Sequence, residues 1–216
     1  MVDNDRMIIH LGCGDKRGKK NCLFLDRDGV IIKERHYIKN KMDVEIETGA
    51  IELMMSAKEN NYLVIIVTNQ SGIGRGFFNW NDYEDVTVRM LELIGLEVIN
   101  AIYANSYTPE SDKDASSWRK PGIGMLTTAV KDYDIALKKS LLVGDRNSDI
   151  NSGYRAGVEY LVHVKTGHGE QELKSISESF SLSKTDLIKN QRDDRRSILS
   201  LNTLKDPQLN ELIKYI

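Results

Sequence analysis

Five short apolar runs occur along the chain, and each ends at polar or glycine residues. They cover residues 22–25, 62–67, 98–104, 141–143 and 160–164. Their apolar residues are continuous rather than alternating, which is typical of strands buried on both faces of a sheet. Such a sheet needs helices on both sides, so the runs predict parallel strands joined by helical crossovers.

Segments with apolar residues at helical spacing lie between these runs. They cover residues 49–60, 81–95, 123–133 and 147–156, and Thr48 is placed to cap the first of them. Strands that alternate with helices in this way predict an α/β fold, a three-layer α/β/α sandwich with a Rossmann-like parallel sheet. The connections between the strands are too short for a large cap domain, so we expect a short flap after the first strand instead.

The chain length of 216 residues fits a single domain. We expect its core over about residues 21–167, preceded by an N-terminal extension over 1–20, in which residues 7–9 offer a short edge strand. The polar C-terminal extension, from about 170 to 216, is expected to consist of surface helices and loops. A last helix is expected to dock through Leu209, Leu212 and Ile213.

Composition excludes several classes of protein. Hydrophobic residues make up 40% and charged residues 29%, the balance of a soluble globular protein. The net charge of −2 argues against a nucleic-acid partner or an anionic membrane partner, and no apolar run approaches the roughly 20 residues that span a bilayer. Cys13 and Cys22 form no CxxC pair, which predicts neither a disulfide framework nor a zinc cluster and suits a reducing cytoplasm.

Polar side chains follow the apolar runs at the points where the predicted strands end. In an open parallel sheet these ends share one edge, where ligands bind. Carboxylates at such an edge suit Mg²⁺, and one of them can attack phosphorus while a second moves protons. A lysine beside them would neutralise phosphoryl oxygens. The side chains after the runs are Asp26, Asp28, Thr68, Asn69, Asp145 and Asp149. Arg119 and Lys120 precede a Pro-Gly turn and a predicted helix.

Each of these residues, taken alone, also has an ordinary structural interpretation. Asp28 begins an Asp-Gly pair, which is common in turns. Asp145 can cap the helix that follows it, and the Thr68 hydroxyl can bond to the backbone at the end of a strand. Lys120 can be a solvated lysine before a turn, and His36 can be a loop histidine that touches no ligand.

Four segments, in order, resemble the motifs of one enzyme family. They are residues 24–31 (FLDRDGVI), 67–76 (VTNQSGIGRG), 119–125 (RKPGIGM) and 143–149 (VGDRNSD). These motifs are similar to those of haloacid-dehalogenase-type phosphatases, in the branch that contains D,D-heptose 1,7-bisphosphate phosphatase and histidinol-phosphate phosphatase. One Asp-x-Asp pair is a weak signal, whereas four motifs in order are specific, and the resemblance covers about residues 21–167.

The resemblance implies catalytic roles for four matching positions. Asp26 would attack phosphorus. Asp28 would protonate the leaving oxygen and then activate water against the aspartyl-phosphate. Thr68 and Lys120 would hold the phosphoryl group.

The resemblance also implies a metal site and substrate contacts. Mg²⁺ would be held by Asp26, the backbone carbonyl of Asp28, and Asp145, while Asp149 would support these ligands from behind. Substrate contacts are implied for Glu34, Arg35, His36, Tyr37, Asn69, Gln70, Ser71, Arg75 and Arg119.

The chain departs from this branch in one loop. Members of the branch commonly carry a zinc loop with Cys and His ligands before the Arg-Lys-Pro motif. The corresponding residues 104–118 contain neither cysteine nor histidine, and a structural zinc ion needs about four such ligands. We therefore predict no structural zinc in this loop, and we expect Trp118 and Tyr107 to hold the loop by packing.

Together these observations predict a Mg²⁺-dependent phosphatase. The resemblance implies removal of the C7 phosphate of D-glycero-D-manno-heptose 1,7-bisphosphate, in the synthesis of nucleotide-activated heptose for lipopolysaccharide, capsule or another surface glycan. The alternative is a histidinol-phosphate phosphatase. A polynucleotide 3′-phosphatase is less favoured, because it would need a basic groove and the net charge is −2. A binding protein without catalysis is also less favoured, because every residue expected to be catalytic is present. We expect a cytoplasmic monomer that acts on a small phosphorylated sugar, with no nucleic-acid or membrane partner.

Overall fold

The polypeptide alternates strands and helices along most of its length. The computed structural model describes residues 2–3, 5–12, 18–111, 117–181, 192–193 and 196–215. The strands among these residues are β1 (Val2–Asp3), β2 (Arg6–His10), β3 (Cys22–Leu25), β4 (Leu63–Asn69), β5 (Ala101–Asn105), β6 (Leu141–Gly144), β7 (Tyr160–Val164), β8 (Arg192–Asp193) and β9 (Arg196–Leu201). The helices are α1 (Ala50–Glu59), α2 (Ser71–Gly74), α3 (Trp80–Ile94), α4 (Gly124–Tyr133), α5 (Asn147–Ala156), α6 (Gly169–Ser179) and α7 (Pro207–Tyr215).

The described strands form one sheet in the order β1-β2-β5-β4-β3-β6-β7-β9-β8. The six strands from β5 to β9 in this order pair in parallel, which confirms the predicted α/β fold with a parallel sheet. The two ends of the sheet are antiparallel. On one side β2 pairs with β5 and, on its other flank, with β1, so the run at residues 7–9 forms a strand as expected but β1 rather than β2 is at the edge. On the other side β8 pairs with β9.

The central strands are buried on both faces, as their continuous apolar sequences predict. In β3, Leu23 and Leu25 belong to the hydrophobic cluster that contains the buried faces of α1, α3 and α7. Cys22 and Phe24, one residue out of phase, belong to a second cluster with α4, α5 and α6. This alternation follows from the two-residue period of a strand, and it gives the three layers of the sandwich.

The C-terminal extension contains a strand that the sequence analysis missed. β9 pairs in parallel with β7, and its Ile198, Leu199 and Leu201 side chains are buried. The expectation of surface helices and loops alone was therefore wrong for this segment. The docked last helix is confirmed, since Leu209 and Ile213 of α7 are buried against the first cluster.

Helix bounds agree with the sequence patterns to within one residue, but the first cap does not. Gly49, rather than Thr48, occupies the N-cap of α1, with a φ of 92° and no side-chain cap hydrogen bond. Thr48 as the cap was therefore wrong, because the chain enters this helix through a left-handed conformation that glycine adopts without steric cost.

A loop over residues 33–45, which we call the flap, follows β3. Backbone hydrogen bonds from Lys33 to Glu45 and from Glu47 to Ile31 close its base. The only regular structure inside this fully described segment is a short 3₁₀ turn over Lys41–Asp43. The flap thus stands over the carboxyl ends of the strands, where a large cap domain is absent. None of the described helices has both the length and the apolar character that crossing a membrane requires.

Candidate active site

Three carboxylates converge at the carboxyl ends of β3 and β6. Asp26 directly follows β3, Asp145 directly follows β6, and Asp149 lies in the first turn of α5. All three side chains are buried, and one oxygen of each lies within 4.8 Å of the others. The parallel sheet brings them together because β3 and β6 are neighbours and end at the same edge. Asp149 is thus close enough to Asp26 and Asp145 either to bind a metal ion directly or to support the other two acids.

Lys120 places a buried ammonium group among these acids. Its Nζ lies 3.0 Å from an Asp26 oxygen and 2.6 Å from an Asp149 oxygen, and it donates a hydrogen bond to the Val67 carbonyl. Asn69 fixes the Lys120 backbone, because its amide accepts from the Lys120 N–H at 3.0 Å and donates to the Lys120 carbonyl at 3.1 Å. The lysine is thereby held in the site as one fixed charge.

Asp145 sits in a space that only glycines leave open. A Cβ atom added to Gly29 would lie 2.5 Å from Asp145 Oδ2, and one added to Gly167 would lie 2.3 Å from it. The backbone N–H of His168 donates to the same oxygen at 2.8 Å. Asp145 Oδ1 is buried and has no hydrogen-bond partner among the described residues. A buried oxygen without a partner is costly.

The electrostatics of the cluster suit the binding of a divalent cation. Burial raises the pKa of Asp26 to about 6, although Lys120 opposes the shift. Burial, together with the charges of Asp149 and Asp26, raises the pKa of Asp145 to about 8. For Lys120 burial lowers the pKa, but the Asp149 and Asp26 carboxylates outweigh it and the pKa is raised. The raised pKa values mean that the ionised forms of these carboxylates are destabilised, and more positive charge than one lysine supplies would stabilise them. Their oxygen atoms are ligands that suit Mg²⁺.

Asp28 lies at the pocket surface in a network with two neighbours. The Arg27 guanidinium bonds to both Asp28 oxygens, at Nη2–O distances of 3.0 Å. The Gln70 amide donates to Asp28 at 2.9 Å and to the Thr68 hydroxyl at 2.8 Å, and its own oxygen accepts from Arg27. The network joins the ends of β3 and β4 and holds Asp28 in one orientation.

Arg27 is a site residue that the sequence analysis missed. Its side chain is only 1% exposed, and its guanidinium carbon lies 4.8 Å from the centre of the Tyr83 ring. Burial lowers the pKa of Arg27, but the Asp28 carboxylate outweighs this effect and the pKa is raised. The sequence could have indicated this position. A charged residue between two candidate catalytic acids at a strand end must be either exposed or paired.

A pocket of about 400 Å³ opens beside these groups. Thr68 and Asp145 are buried and do not line this pocket, whereas most of the predicted substrate contacts do. Its predicted lining residues are Asp26, Asp28, Glu34, His36, Tyr37, Asn69, Gln70, Ser71, Arg75, Arg119, Lys120 and Asp149. It is also lined by residues that the sequence analysis did not select, namely Arg27, Ile38, Gly72, Pro109, Arg146, Ser148 and His168.

Some predicted contacts are engaged elsewhere. Arg35 does not line the pocket and pairs with Glu45 inside the flap. Arg119 reaches the pocket but donates one guanidinium bond to the Tyr107 carbonyl. Arg75 stands 3.8 Å from Glu110 across the mouth.

His168 and Arg146 could have been found by the same strand-end argument that found the acids. His168 lies in the loop after β7, and Arg146 follows the end of β6. The predicted core ends at about residue 167, one residue before His168.

The loop over residues 104–118 is held by aromatic packing where the structure describes it. Residues 112–116 lie outside the described part. Trp118 is buried and Tyr107 packs against the same hydrophobic cluster. The Arg6 guanidinium lies over both rings, at 5.2 Å and 5.6 Å from their centres, and bonds to the Tyr107 hydroxyl at 3.0 Å. The predicted roles of Trp118 and Tyr107 are thus confirmed, with Arg6 from β2 as an additional support.

Known proteins resemble this chain in sequence. The model of the polynucleotide kinase 3 phosphatase family matches residues 21–188. A D-glycero-alpha-D-manno-heptose-1,7-bisphosphate 7-phosphatase of Photorhabdus laumondii is 38% identical over 164 residues, which is 73% of this chain and 89% of the relative. A D-glycero-beta-D-manno-heptose-1,7-bisphosphate 7-phosphatase of Helicobacter pylori is 34% identical over 170 residues, 75% of this chain and 96% of the relative.

Solved structures share the fold. A HAD-like phosphatase from Mesorhizobium loti superposes with a TM-score of 0.80 at 26% identity, covering 99% of this chain and 95% of that one. The D,D-heptose 1,7-bisphosphate phosphatase of B. bronchiseptica, solved with magnesium and phosphate, has a TM-score of 0.73 at 23% identity and covers 91% of this chain and 99% of that one. The chain therefore belongs to the polynucleotide kinase 3 phosphatase family and to the haloacid-dehalogenase-like phosphatases.

Proposed function

We propose that this phosphatase removes the C7 phosphate of D-glycero-D-manno-heptose 1,7-bisphosphate with the help of Mg²⁺. The observation that carries the chemistry is the buried set of Asp26, Asp145 and Asp149 with Lys120 among them. The substrate is supported by relatives that carry this activity in their names at 38% and 34% identity. The product would be used in the synthesis of nucleotide-activated heptose for a surface glycan.

In the proposed reaction Asp26 and Asp28 divide the work. An Asp26 oxygen attacks phosphorus, the bond from phosphorus to the sugar oxygen breaks, and Asp28 gives that oxygen its proton. Asp28 then takes a proton from water, which attacks the aspartyl-phosphate and releases inorganic phosphate. Asp26 returns to its carboxylate form and Asp28 to its protonated form, so the second half of the reaction restores the starting state of the enzyme. The Arg27 and Gln70 bonds would keep Asp28 aimed at the sugar oxygen throughout.

The remaining groups would bind and neutralise the phosphoryl oxygens. Thr68 and Lys120 would donate to them, and Lys120 can exchange its present bond to Asp26 for one to the phosphoryl group. Asp26, Asp145 and the backbone carbonyl of Asp28 would hold Mg²⁺, with Asp149 beside them. The ion, when bound, would neutralise charge on the transferring group.

The pocket wall would contact the rest of the substrate. Glu34, His36 and Tyr37 on the flap face residues from β4, α2 and the loop over 104–118 across the pocket. Arg35 is left out of this proposal because it pairs with Glu45. The opposite wall would be formed by Asn69, Gln70, Ser71, Arg75 and Arg119.

The experiment is phosphate release with Mg²⁺ from the α and β anomers of heptose 1,7-bisphosphate. Histidinol phosphate and a 3′-phosphorylated oligonucleotide serve as parallel substrates. We expect one heptose anomer to have a kcat/KM at least about 100-fold above the other substrates, which is roughly 2.7 kcal/mol of discrimination in the transition state. A preference for histidinol phosphate or for the oligonucleotide overturns the proposed substrate.

We also propose that the protein is a cytoplasmic monomer without a structural zinc ion in the 104–118 loop. The absence of cysteine and histidine from residues 104–118 supports the lack of a zinc ion in this loop. The net charge of −2 disfavours nucleic-acid and membrane partners. After dialysis against a chelator, elemental analysis should find no stoichiometric zinc in protein that is still folded. Size-exclusion chromatography with light scattering should give the mass of one chain.

A further inference from the structure

A second group of metal-binding side chains lies on the pocket wall, separate from the catalytic carboxylates. Glu34 and His36 belong to the flap, and His168 belongs to the loop after β7. One ligand atom of each lies within 4.8 Å of the other two, and all three residues line the pocket. Neither the proposed chemistry nor the Mg²⁺ site uses these three groups together.

We propose that Glu34, His36 and His168 bind a divalent transition-metal ion at the mouth of the pocket. Two imidazoles and a carboxylate are a ligand set that suits Zn²⁺ and similar ions better than Mg²⁺. The proposal does not depend on which phosphate ester the enzyme hydrolyses.

The distances among these groups fit one ion. Zinc-to-ligand bonds of about 2.0–2.2 Å in a tetrahedron keep neighbouring ligand atoms about 3.4 Å apart. Glu34 Oε2 and His168 Nε2 already stand 3.4 Å apart. The His36 and His168 rings have centres 5.9 Å apart and planes inclined by 56°, so they are not stacked and their nitrogens can turn toward a common point.

Glu34 is arranged to serve as a ligand. Its Oε1 accepts a hydrogen bond from the His36 backbone N–H at 2.7 Å, while its Oε2 faces His168. The first bond fixes the carboxylate within the flap, as ligand-orienting hydrogen bonds do at metal sites. The negative charge of Glu34 beside the two imidazoles also favours a cation over a phosphate group at this point.

Such an ion would join two separate parts of the chain. The His168 backbone N–H bonds to Asp145, so the ion would connect the flap to the loop that supports a catalytic carboxylate. Three protein ligands leave at least one coordination position open toward the pocket. Partial exposure of the ligands, at 19% for Glu34 and 20% for His168, lets the ion exchange with solvent, unlike a closed structural zinc site.

The test is calorimetric titration of the full chain with Zn²⁺ in excess Mg²⁺, which occupies the catalytic carboxylates. We expect one Zn²⁺ to bind per chain, and its affinity to fall at least about tenfold in each of His36→Gly, His168→Asn and Glu34→Gln. Glycine suits position 36, where φ is 46°. The matched control is His10→Asn, which removes a histidine that bonds to Tyr133 far from this group and should leave Zn²⁺ affinity unchanged.

Two further results decide the proposal. Thermal unfolding without Zn²⁺ establishes whether each variant is folded. If a histidine variant does not fold, the isosteric Glu34→Gln variant still tests the proposal. Asp26→Asn should retain Zn²⁺ binding. Equal Zn²⁺ affinity in wild type and the three variants, or loss of Zn²⁺ binding in Asp26→Asn alone, would place the ion elsewhere and overturn the proposal.

Discussion

The Arg27 guanidinium forms a bidentate salt bridge with the carboxylate of Asp28, the next residue in the chain. Consecutive residues rarely face each other in regular structure. They do so here because the chain turns directly after β3, where the N–H groups of Ile31 and Ile32 bond to the Arg27 carbonyl. The pair therefore fixes the orientation of the Asp28 carboxyl group, from which Asp28 would deliver a proton in the proposed reaction.

Replacing Arg27 by lysine should slow the enzyme by about tenfold to a hundredfold in kcat, with a small change in KM. Lysine keeps the charge but cannot bond to both Asp28 oxygens and to Gln70 at once. The measurement is a steady-state comparison of the sugar phosphate with p-nitrophenyl phosphate, whose leaving group needs no proton. The defect should be smaller for p-nitrophenyl phosphate. Arg89→Lys, at an exposed pair with Glu92, is the control, and equal defects for both substrates would contradict a role through Asp28.

Asp26→Asn should lower kcat by at least about 10³-fold, because asparagine keeps the shape of the side chain but does not attack phosphorus. The fold should persist, since the amide oxygen can still accept the Arg27 N–H and Lys120 bonds. Phosphate release and circular dichroism check both expectations. Turnover within tenfold of wild type would remove Asp26 from the role of nucleophile.

The metal-free protein should lose stability as the pH rises through the range in which Asp26 and Asp145 ionise. Burial raises their pKa values from 3.8 to about 6 and about 8, so the folded state binds these protons more tightly than the unfolded chain. Their contribution is therefore fully present below about pH 4 and is lost as the pH rises through 6 and then 8. For Asp26 the shift is worth about 3 kcal/mol.

Mg²⁺ should reverse this trend, because it binds the deprotonated carboxylates. The rise in Tm on adding Mg²⁺ should grow between about pH 5 and about pH 9. Thermal unfolding with and without Mg²⁺ measures both effects. Asp145→Asn should remove the upper part of the pH dependence, and a Mg²⁺ effect that is constant with pH would show that these acids do not bind the ion.

Leu199→Ala in β9 should destabilise the protein by about 2–5 kcal/mol, as expected for a large aliphatic side chain removed from a core. Leu199 is 2% exposed and packs within the first hydrophobic cluster. The matched control is Leu96→Ala, whose side chain is 60% exposed and should change stability by about 0.5 kcal/mol or less. Urea unfolding measures both, and equal effects would show that β9 does not belong to the core.

The parallel core could be predicted because its strands are uninterrupted apolar runs. β3 and β7 begin and end at the same residues as the apolar runs that predict them. Asp26 and Asp145 lie directly after their strands, as predicted. β9 could not be found in this way. Its sequence, RSILSL, mixes serines with apolar residues inside a polar tail, and only pairing with β7 makes it a strand.

The convergence of the acids at the strand ends could be predicted from their types and motif positions, whereas side-chain pairing could not. Gln70 and Asn69 were expected to face the substrate and do line the pocket, but their amides also bond to Asp28 and Lys120. Arg35 has the right position on the flap, yet Glu45 is a nearer partner across the base of the same loop. Sequence position gives proximity to the site, and only the competition between partners decides where a long side chain points.

The position of β9 has a consequence for how the protein is made. The site residues end at His168, whereas the strand that covers the edge of β7 begins at Arg196. During synthesis the complete catalytic set therefore leaves the ribosome before the sheet can be finished. Until then β7 presents an unpaired apolar edge that can pair with other nascent chains. The last part of the chain, which lies outside the proposed chemistry, thus determines when the newborn protein is protected from aggregation.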